Sequence, residues 1–292
     1  MFVEMMRTLE FPDEAVLYLS SVYSRIRADE ELSALLDSAL SRFCADEAPD
    51  YKLPLESVAA ELEIPRYTAD AIMLVLAMRG MRNIYRERGI EETVWLDTAK
   101  DLRNKLIECK RVYGCWGCFV TWWFKYHLGL RLFTLGRLQY EPIAFPFDDY
   151  KGILKKGDRV YSCHIPADGP LTETAALSSL ERDYEFFGGE LKGNVLPVYC
   201  DSWLIYPPHA HLYAEDSNLL RFYRMFDIIG ETEDETLQDF WRIFSLPYSP
   251  ETLANAPENT GLQRVFKKYL MEGGKMGKGH GIILFDGKRI IE

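Results

Sequence analysis

The side chains best able to move a proton in this chain are Asp201, His164, Ser202 and Glu141. Asp201 shares a strand face with Tyr199 and Trp203 in the β-rich run that opens at Val195. Aromatic neighbours raise a carboxylate's pKa and suit it to act as a general base; a cap or surface ion pair is the plainer role. His164 ends the run Arg159–Ile165 and shares a face with Ser162. A strand end is where a ligand site can lie, although a histidine there also serves structure alone. Cys200 and Ser202 fall with Val198 and Leu204, toward a core, and Cys200 as a nucleophile needs a base beside it. Glu141 alternates with Arg137 and Gln139, and Glu141 and Arg137 are expected to pair with each other.

A second group could hold an anion. Gln263, Arg264, Lys267 and Lys268 line one face of a helix predicted over Leu262–Met271, with Asn259 or Thr260 as its cap. In a chain of net charge −11 that basic face is out of character. A capped helix start plus an Arg fork is a phosphate site, and a solvated face is the alternative. Gly273–Gly281 holds five glycines and two lysines. It follows a helix and precedes a strand, the reverse of a phosphate cradle, so it is expected to be a flexible hairpin or flap. Cys115-x-x-Cys118, with Cys109 and His127 nearby, lacks a second ligand pair, so no metal is expected and the thiols read as structural. His209 and His211 fall on different sides of a short helix, which argues against a shared metal.

The elements that must position these groups change character near Gly129. Before it, Glu14–Ala28, Asp29–Cys44, Leu55–Glu63, Thr68–Arg88 and Glu91–Val112 carry helical spacing, with no strand expected. Leu53–Met78 resembles a helix-turn-helix, but its second helix runs AIMLVLA and so belongs in a core. Trp116, Trp122, Trp123 and Phe124 read as an apolar seam between domains. After Gly129, Leu135–Glu141 and Arg159–Ile165 alternate as an antiparallel pair, and Thr172–Phe187 is a helix ended by Gly188-Gly189. Val195–Ile229 reads as strand, short helix and a second strand from Leu219, a parallel crossover unit. Asp234–Phe244 is predicted helical, Leu246–Pro257 a loop, and Ile282–Phe285 a strand. The boundary predicts two domains, residues 1–128 and 129–292.

Composition narrows the function. Hydrophobic residues at 48% are enough for two cores. The acidic balance argues against nucleic-acid partners, and no apolar run reaches the ~20 residues of a membrane span. The acids within the first apolar stretch argue against a signal peptide. Six cysteines in 292 residues make no disulfide scaffold, which predicts a cytoplasmic setting.

The stretches 135–141 (LGRLQYE), 164–166 (HIP), 169–171 (GPL), 200–204 (CDSWL), 217–218 (SN) and 259–264 (NTGLQR) resemble a bacterial acyltransferase family. Its members join a helical N-terminal domain to a GNAT-like C-terminal domain. The resemblance covers nearly the whole chain and implies an α+β fold with a mixed sheet and flanking helices. It implies acyl-CoA, acetyl-CoA for instance, as co-substrate, and a small-molecule or peptide amine as acceptor. Such chemistry needs a pyrophosphate cradle, a base for the amine and an acid for the thiolate, for which Tyr206 and Tyr213 are candidates. The family cradle, Q/R-x-x-G-x-G/A between strand and helix, is absent after Val195–Tyr206, where Pro207 and Pro208 carry no N–H. Arg264, Lys267 and Lys268 are then the expected phosphate contacts. A non-catalytic binding module on a degenerate scaffold is the alternative, and a DNA-binding regulator a third reading.

Overall fold

The run from Ala69 to Val75 is buried on every side, and the first unit is assembled around it. The computed structural model describes residues 1–45 and 50–291. It divides into Met1–Phe133 and Thr134–Glu292. In the first unit the described residues form α1 (Phe2–Thr8), α2 (Asp13–Ala28), α3 (Glu30–Cys44), α4 (Lys52–Glu61), α5 (Arg66–Glu87), α6 (Glu92–Ala99), α7 (Asp101–Tyr113) and α8 (Phe124–Leu128). Asp29 caps α3 by accepting from the N–H groups of Glu31 and Leu32. The second helix of the helix-turn-helix-like stretch is α5, and its first three turns are core, as its apolar run predicts. The single helix expected over Glu91–Val112 is two, meeting at Lys100. The break seats the buried Asp101 carboxylate under Trp123 Nε1, at 3.0 Å, and 3.6 Å from His127 Nε2.

A strand β1 (Phe133–Leu135) leads into the second unit. It continues through β2 (Leu138–Ala144), β3 (Asp149–Tyr150), β4 (Leu154–Lys155), β5 (Arg159–His164), α9 (Glu173–Phe187), β6 (Leu196–Ser202), α10 (Asn218–Tyr223), β7 (Asp227–Asp234), α11 (Phe240–Phe244), α12 (Pro250–Ala254), α13 (Gly261–Met271), β8 (Met276–Phe285) and β9 (Ile290–Ile291). The main sheet runs β1-β2-β5-β6-β8-β7, with β9 on β8 and β3-β4 as a separate hairpin. The pairs β2/β5, β6/β8, β7/β8 and β8/β9 are antiparallel, and β5/β6 is parallel.

Several expectations fail here for physical reasons. The alternating run Leu135–Glu141 is not one strand: Gly136, at φ 83°, turns the chain between β1 and β2. Arg137 therefore sits in a turn and cannot share a strand face with Glu141. The run at Leu219 is helical because Ser217 caps it through Leu220 N–H at 3.2 Å. The crossover unit is β5-α9-β6 rather than the segment 195–229, since β8 lies between β6 and β7. Residues 227–234 stay extended, so the helix expected from Asp234 shrinks to α11. The expected loop Leu246–Pro257 contains α12, closed by a capping box between Ser249 and Thr252.

The glycine-rich flap is the largest departure. Gly277, Gly279 and Gly281 lie within β8, an interior strand paired on both sides. They alternate onto one face, and the segment 203–206 crosses directly over them. A Cβ on Gly279 would come within 1.9 Å of Ile205 O, and one on Gly277 within 2.6 Å of the Tyr206 ring. Glycine is required for close backbone approach, not for mobility.

Helix α9 covers the same face of the sheet. Ser179 Oγ receives Leu138 N–H at 3.0 Å and the Tyr140 hydroxyl at 3.2 Å, and donates to Leu135 O. One turn on, Asp183 is fully buried with neither carboxylate oxygen hydrogen-bonded. Burial holds its carboxyl neutral, well above the usual range, and the Cys163 thiol beside it adds to that. A carboxyl raised on folding contributes most below its unfolded pKa of about 4, and that contribution is lost as pH rises through the folded value. Asp183→Asn is therefore expected to stabilise the protein increasingly from pH 4 to pH 8, read as a rising difference in urea midpoint. A difference that shrinks with pH would show that Asp183 is ionised in the fold.

Candidate active site

Register places three of the four proton-moving candidates, Glu141, His164 and Asp201, on one sheet face. Ser162 is opposite Tyr199 in the parallel pair, Glu141 is opposite Ser162, and Asp201 is opposite His280. Partners in register share a face, and alternate residues along a strand share it too. Glu141, His164, Tyr199, Asp201 and His280 thus belong to the face opposite α9. At the strand starts this face is apolar, with Val160, Tyr199, Ile282 and Leu284 packed under Phe145 and Tyr150. Toward the strand ends it turns polar.

The β5/β6 ladder is short. Only Tyr161↔Val198 and Ser162↔Tyr199 are paired, although β5 runs to His164 and β6 to Ser202. Beyond Ser162 one lip carries Glu141 and His164, whose Oε2 and Nε2 are 3.5 Å apart. The other lip carries Asp201, 3.8 Å from Lys278 Nζ and 3.9 Å from His280 Nδ1. His280 also joins the Tyr199 hydroxyl to the Thr232 hydroxyl, each at 2.8 Å. Burial keeps the Tyr199 phenol protonated, its pKa pushed well up. At the strand starts the same seam borders a cavity of about 290 Å³, lined by Ile153, Leu154, Tyr161, Val195, Pro197 and Leu284.

Between β5 and α9 lies the loop 165–172. The Arg137 guanidinium gathers three of its carbonyls, Pro166 O at 2.9 Å, Gly169 O at 3.2 Å and Pro170 O at 3.3 Å. Every peptide among the described residues is trans, so each N–H points opposite the carbonyl it shares a plane with. Ala167 and Leu171 N–H therefore face away from Arg137. Thr172 then caps α9 by accepting from Ala175 N–H at 3.2 Å.

The other expected residues are placed differently. Ser202 lies on the opposite face, where its hydroxyl caps the turn 203–205 through Leu204 N–H. Gln263 is occupied in the capping box of α13, taking Asn259 and Thr260 N–H. Arg264 donates to Glu258 O at 2.8 Å, and Lys267 to Ala256 O and the Glu258 carboxylate. Lys268 is exposed, 3.9 Å from Glu272. The Tyr213 hydroxyl donates to Leu204 O, and Tyr206 is buried against Gly277. His209 is buried with Nδ1 2.9 Å from Trp203 O, and His211 is exposed. Among the described residues no group of His, Cys, Asp and Glu is arranged to hold a metal ion. No helix there is long and apolar enough to cross a membrane. His280 escaped sequence reading because it sits among glycines; its strand alternation with Ile282 and Leu284 was the available signal.

A helical unit followed by a curled mixed sheet with one short-laddered parallel pair defines a GNAT-like, two-part acyltransferase fold. The chain belongs to the family with the GNAT-like C-terminal domain, whose model matches residues 132–283, and the N-acyltransferase N-terminal domain matches residues 2–130. Among solved structures it is similar to an acyltransferase in complex with decanoyl-CoA and teicoplanin, at 23% identity and TM-score 0.74. That likeness covers 96% of this chain and 86% of the other. An acyltransferase with CoA and 10C-teicoplanin matches at 23% identity and TM-score 0.73, and a mutant acyltransferase with octanoyl-CoA at 22% and 0.73, both with the same coverage. These likenesses show a shared fold. No curated protein matches the chain significantly.

Proposed function

We propose that the protein transfers an acyl group from acyl-CoA to an amine, with the thioester lying along the unpaired ends of β5 and β6. The observation that carries this reading is the two-residue ladder with a polar pair on each lip. A parallel pair that parts at its carboxyl ends offers unpaired peptide groups to a ligand's amides, and crossover units hold ligands there. The similar acyltransferase structures contain acyl-CoA or CoA, and two contain a teicoplanin species, which supports the same reading.

In this scheme Glu141, held by His164, takes the proton from the attacking amine. The nitrogen adds to the thioester carbonyl, the C–S bond breaks, and the departing thiolate takes up the proton that Glu141 received, directly or through water. Asp201 is more exposed and shares Lys278 and His280; it orients the acceptor's ammonium group. The pyrophosphate rests on the loop 165–172 and the first turn of α9, in the strand-loop-helix order that suits phosphate. Arg264, Lys267 and Lys268 are the competing place. Their commitments to residues 256–258 and to Glu272 weigh against it.

Titration calorimetry with octanoyl-CoA tests the reading. Losing Arg137 removes three charge-assisted bonds that shape the loop, each worth about 1.5–3 kcal/mol in general. Arg137→Ala is expected to weaken binding at least ~10-fold, the equivalent of ~1.4 kcal/mol, with Arg264→Ala close to wild type. The reverse ranking would move the phosphate to α13. Absence of binding at millimolar octanoyl-CoA would end the acyltransferase reading. Binding without thiol release in the presence of amines would leave a binding protein.

A further inference from the structure

Three cysteines near the end of α7 take no part in the scheme above. Cys109 is buried on the last turns of that helix, and Cys115 follows Gly114, whose φ of 72° ends it. The turn brings Cys115 Sγ to 3.8 Å from Cys109 Sγ. Cys115 is half-buried, whereas Cys118 is buried. The loop is held firmly in that position. Cys118 N–H donates to Tyr67 O at 2.9 Å, and the Thr68 hydroxyl donates to Trp116 O at 3.0 Å. A Cβ on Gly117 would meet the Tyr67 backbone at 2.6 Å, so the loop backbone lies directly on α5. Lys110 donates to Gly114 O at 3.0 Å, which keeps a cation beside Cys115.

The two thiols are electrostatically unequal. The Cys109 thiol hydrogen-bonds to Cys115 and Lys110 adds its charge; together they outweigh burial and bring Cys115 down to about 7. Cys109 is pushed up by that same partner and by burial, and Cys118 by burial. One sulfur is therefore partly exposed and favoured to ionise, with a buried thiol in contact. That is the arrangement of an attacking and a resolving cysteine.

We propose that Cys109 and Cys115 form a reversible disulfide site, oxidised by hydroperoxides and reduced by low-molecular-weight thiols. The Cys115 thiolate attacks the terminal oxygen of the hydroperoxide and the O–O bond breaks. The alkoxide takes a proton and leaves as an alcohol, or as water from hydrogen peroxide, and Cys115 becomes a sulfenic acid. The Cys109 sulfur attacks the Cys115 sulfur, and its proton leaves with the hydroxide as water. Two electrons pass from the two thiols to the peroxide. Bond formation requires the sulfurs to close from 3.8 Å to the ~2.05 Å of a disulfide. Two external thiols reverse the step, becoming a disulfide themselves.

The test uses the reduced full chain, equimolar hydrogen peroxide, alkylation of remaining thiols and peptide mapping. The expected product links Cys109 to Cys115, leaves four of the six cysteines alkylated, and returns to six with dithiothreitol. Exposed Cys44, whose thiol is pushed up by partial burial, serves as the internal control. Cys115 should be oxidised at least ~10-fold faster. Cys115→Ser should abolish the cross-link, and Cys109→Ser should leave a Cys115 sulfenic acid that dimedone traps. Wild-type protein that keeps all six thiols overturns the proposal. So does Cys115 joined to Cys118, or a persistent Cys115 sulfenic acid beside free Cys109. The wild-type map alone decides, whatever the folding of the variants.

Discussion

Gly279→Ala is expected to lose at least ~4 kcal/mol of stability, enough to unfold much of the second unit at 37 °C. The added methyl would stand 1.9 Å from Ile205 O and 2.5 Å from Ile205 C, so backbone rather than a flexible side chain must yield. Neither partner has room to do so. Gly279 is held in register with Ser202 on one side and Glu231 on the other. Residues 203–205 are fixed by the Ser202 cap and by the Tyr213 hydroxyl on Leu204 O. Gly273→Ala provides the contrast. No atom lies within 4 Å of its added Cβ, but φ is +90°, so only local strain of about 1 kcal/mol is expected. Urea denaturation of both variants checks the ranking. Equal losses would mean that mobility, not close packing, selects glycine in this stretch.

Glu141→Gln is expected to lower the turnover of octanoyl-CoA with an amine about 10²–10⁴-fold while changing octanoyl-CoA affinity little. The substitution keeps the shape and removes the basic oxygen facing His164. Asp201→Asn should instead raise the acceptor's KM, since that carboxylate is assigned to holding the ammonium group. Turnover set against affinity separates chemistry from packing. A Glu141→Gln variant with near-normal turnover would remove Glu141 from the reaction.

The helical half was legible because its signals are local. The spacing of Ile72, Val75 and Leu76 and the breakers at Pro65 and Gly89 lie within single turns of the elements they define. The cap at Thr260 was legible for the same reason. The faces of Glu141, His164 and Asp201 also follow from alternation along single strands. Their meeting across β2, β5 and β6 depends on register, which no single strand carries. The glycines of β8 read as slack because the reason for them, the backbone at Ile205, lies far away in the chain. Arg137 read as a strand residue because LGRLQYE alternates across a turn. Its true partners, the carbonyls at 166, 169 and 170, present no side chain to read. The crossover unit was misplaced for a similar reason, as β8 enters the sheet between β6 and β7 only after four more helices.

The short ladder between β5 and β6 also divides the sheet mechanically. On one side β2 and β5 are paired over six registers, and on the other β6 and β8 over seven. Two registers join these halves, and the seam is open toward the polar lips and toward the cavity at its far end. Bending about this line breaks fewer hydrogen bonds than bending about either neighbouring seam, which makes it the natural hinge of the domain. Amide exchange should show it: protons bridging β5 and β6 are expected to exchange sooner than those of the β6/β8 ladder. An acyl chain inserted along the line would act as a splint, and slower exchange in both halves would register its arrival.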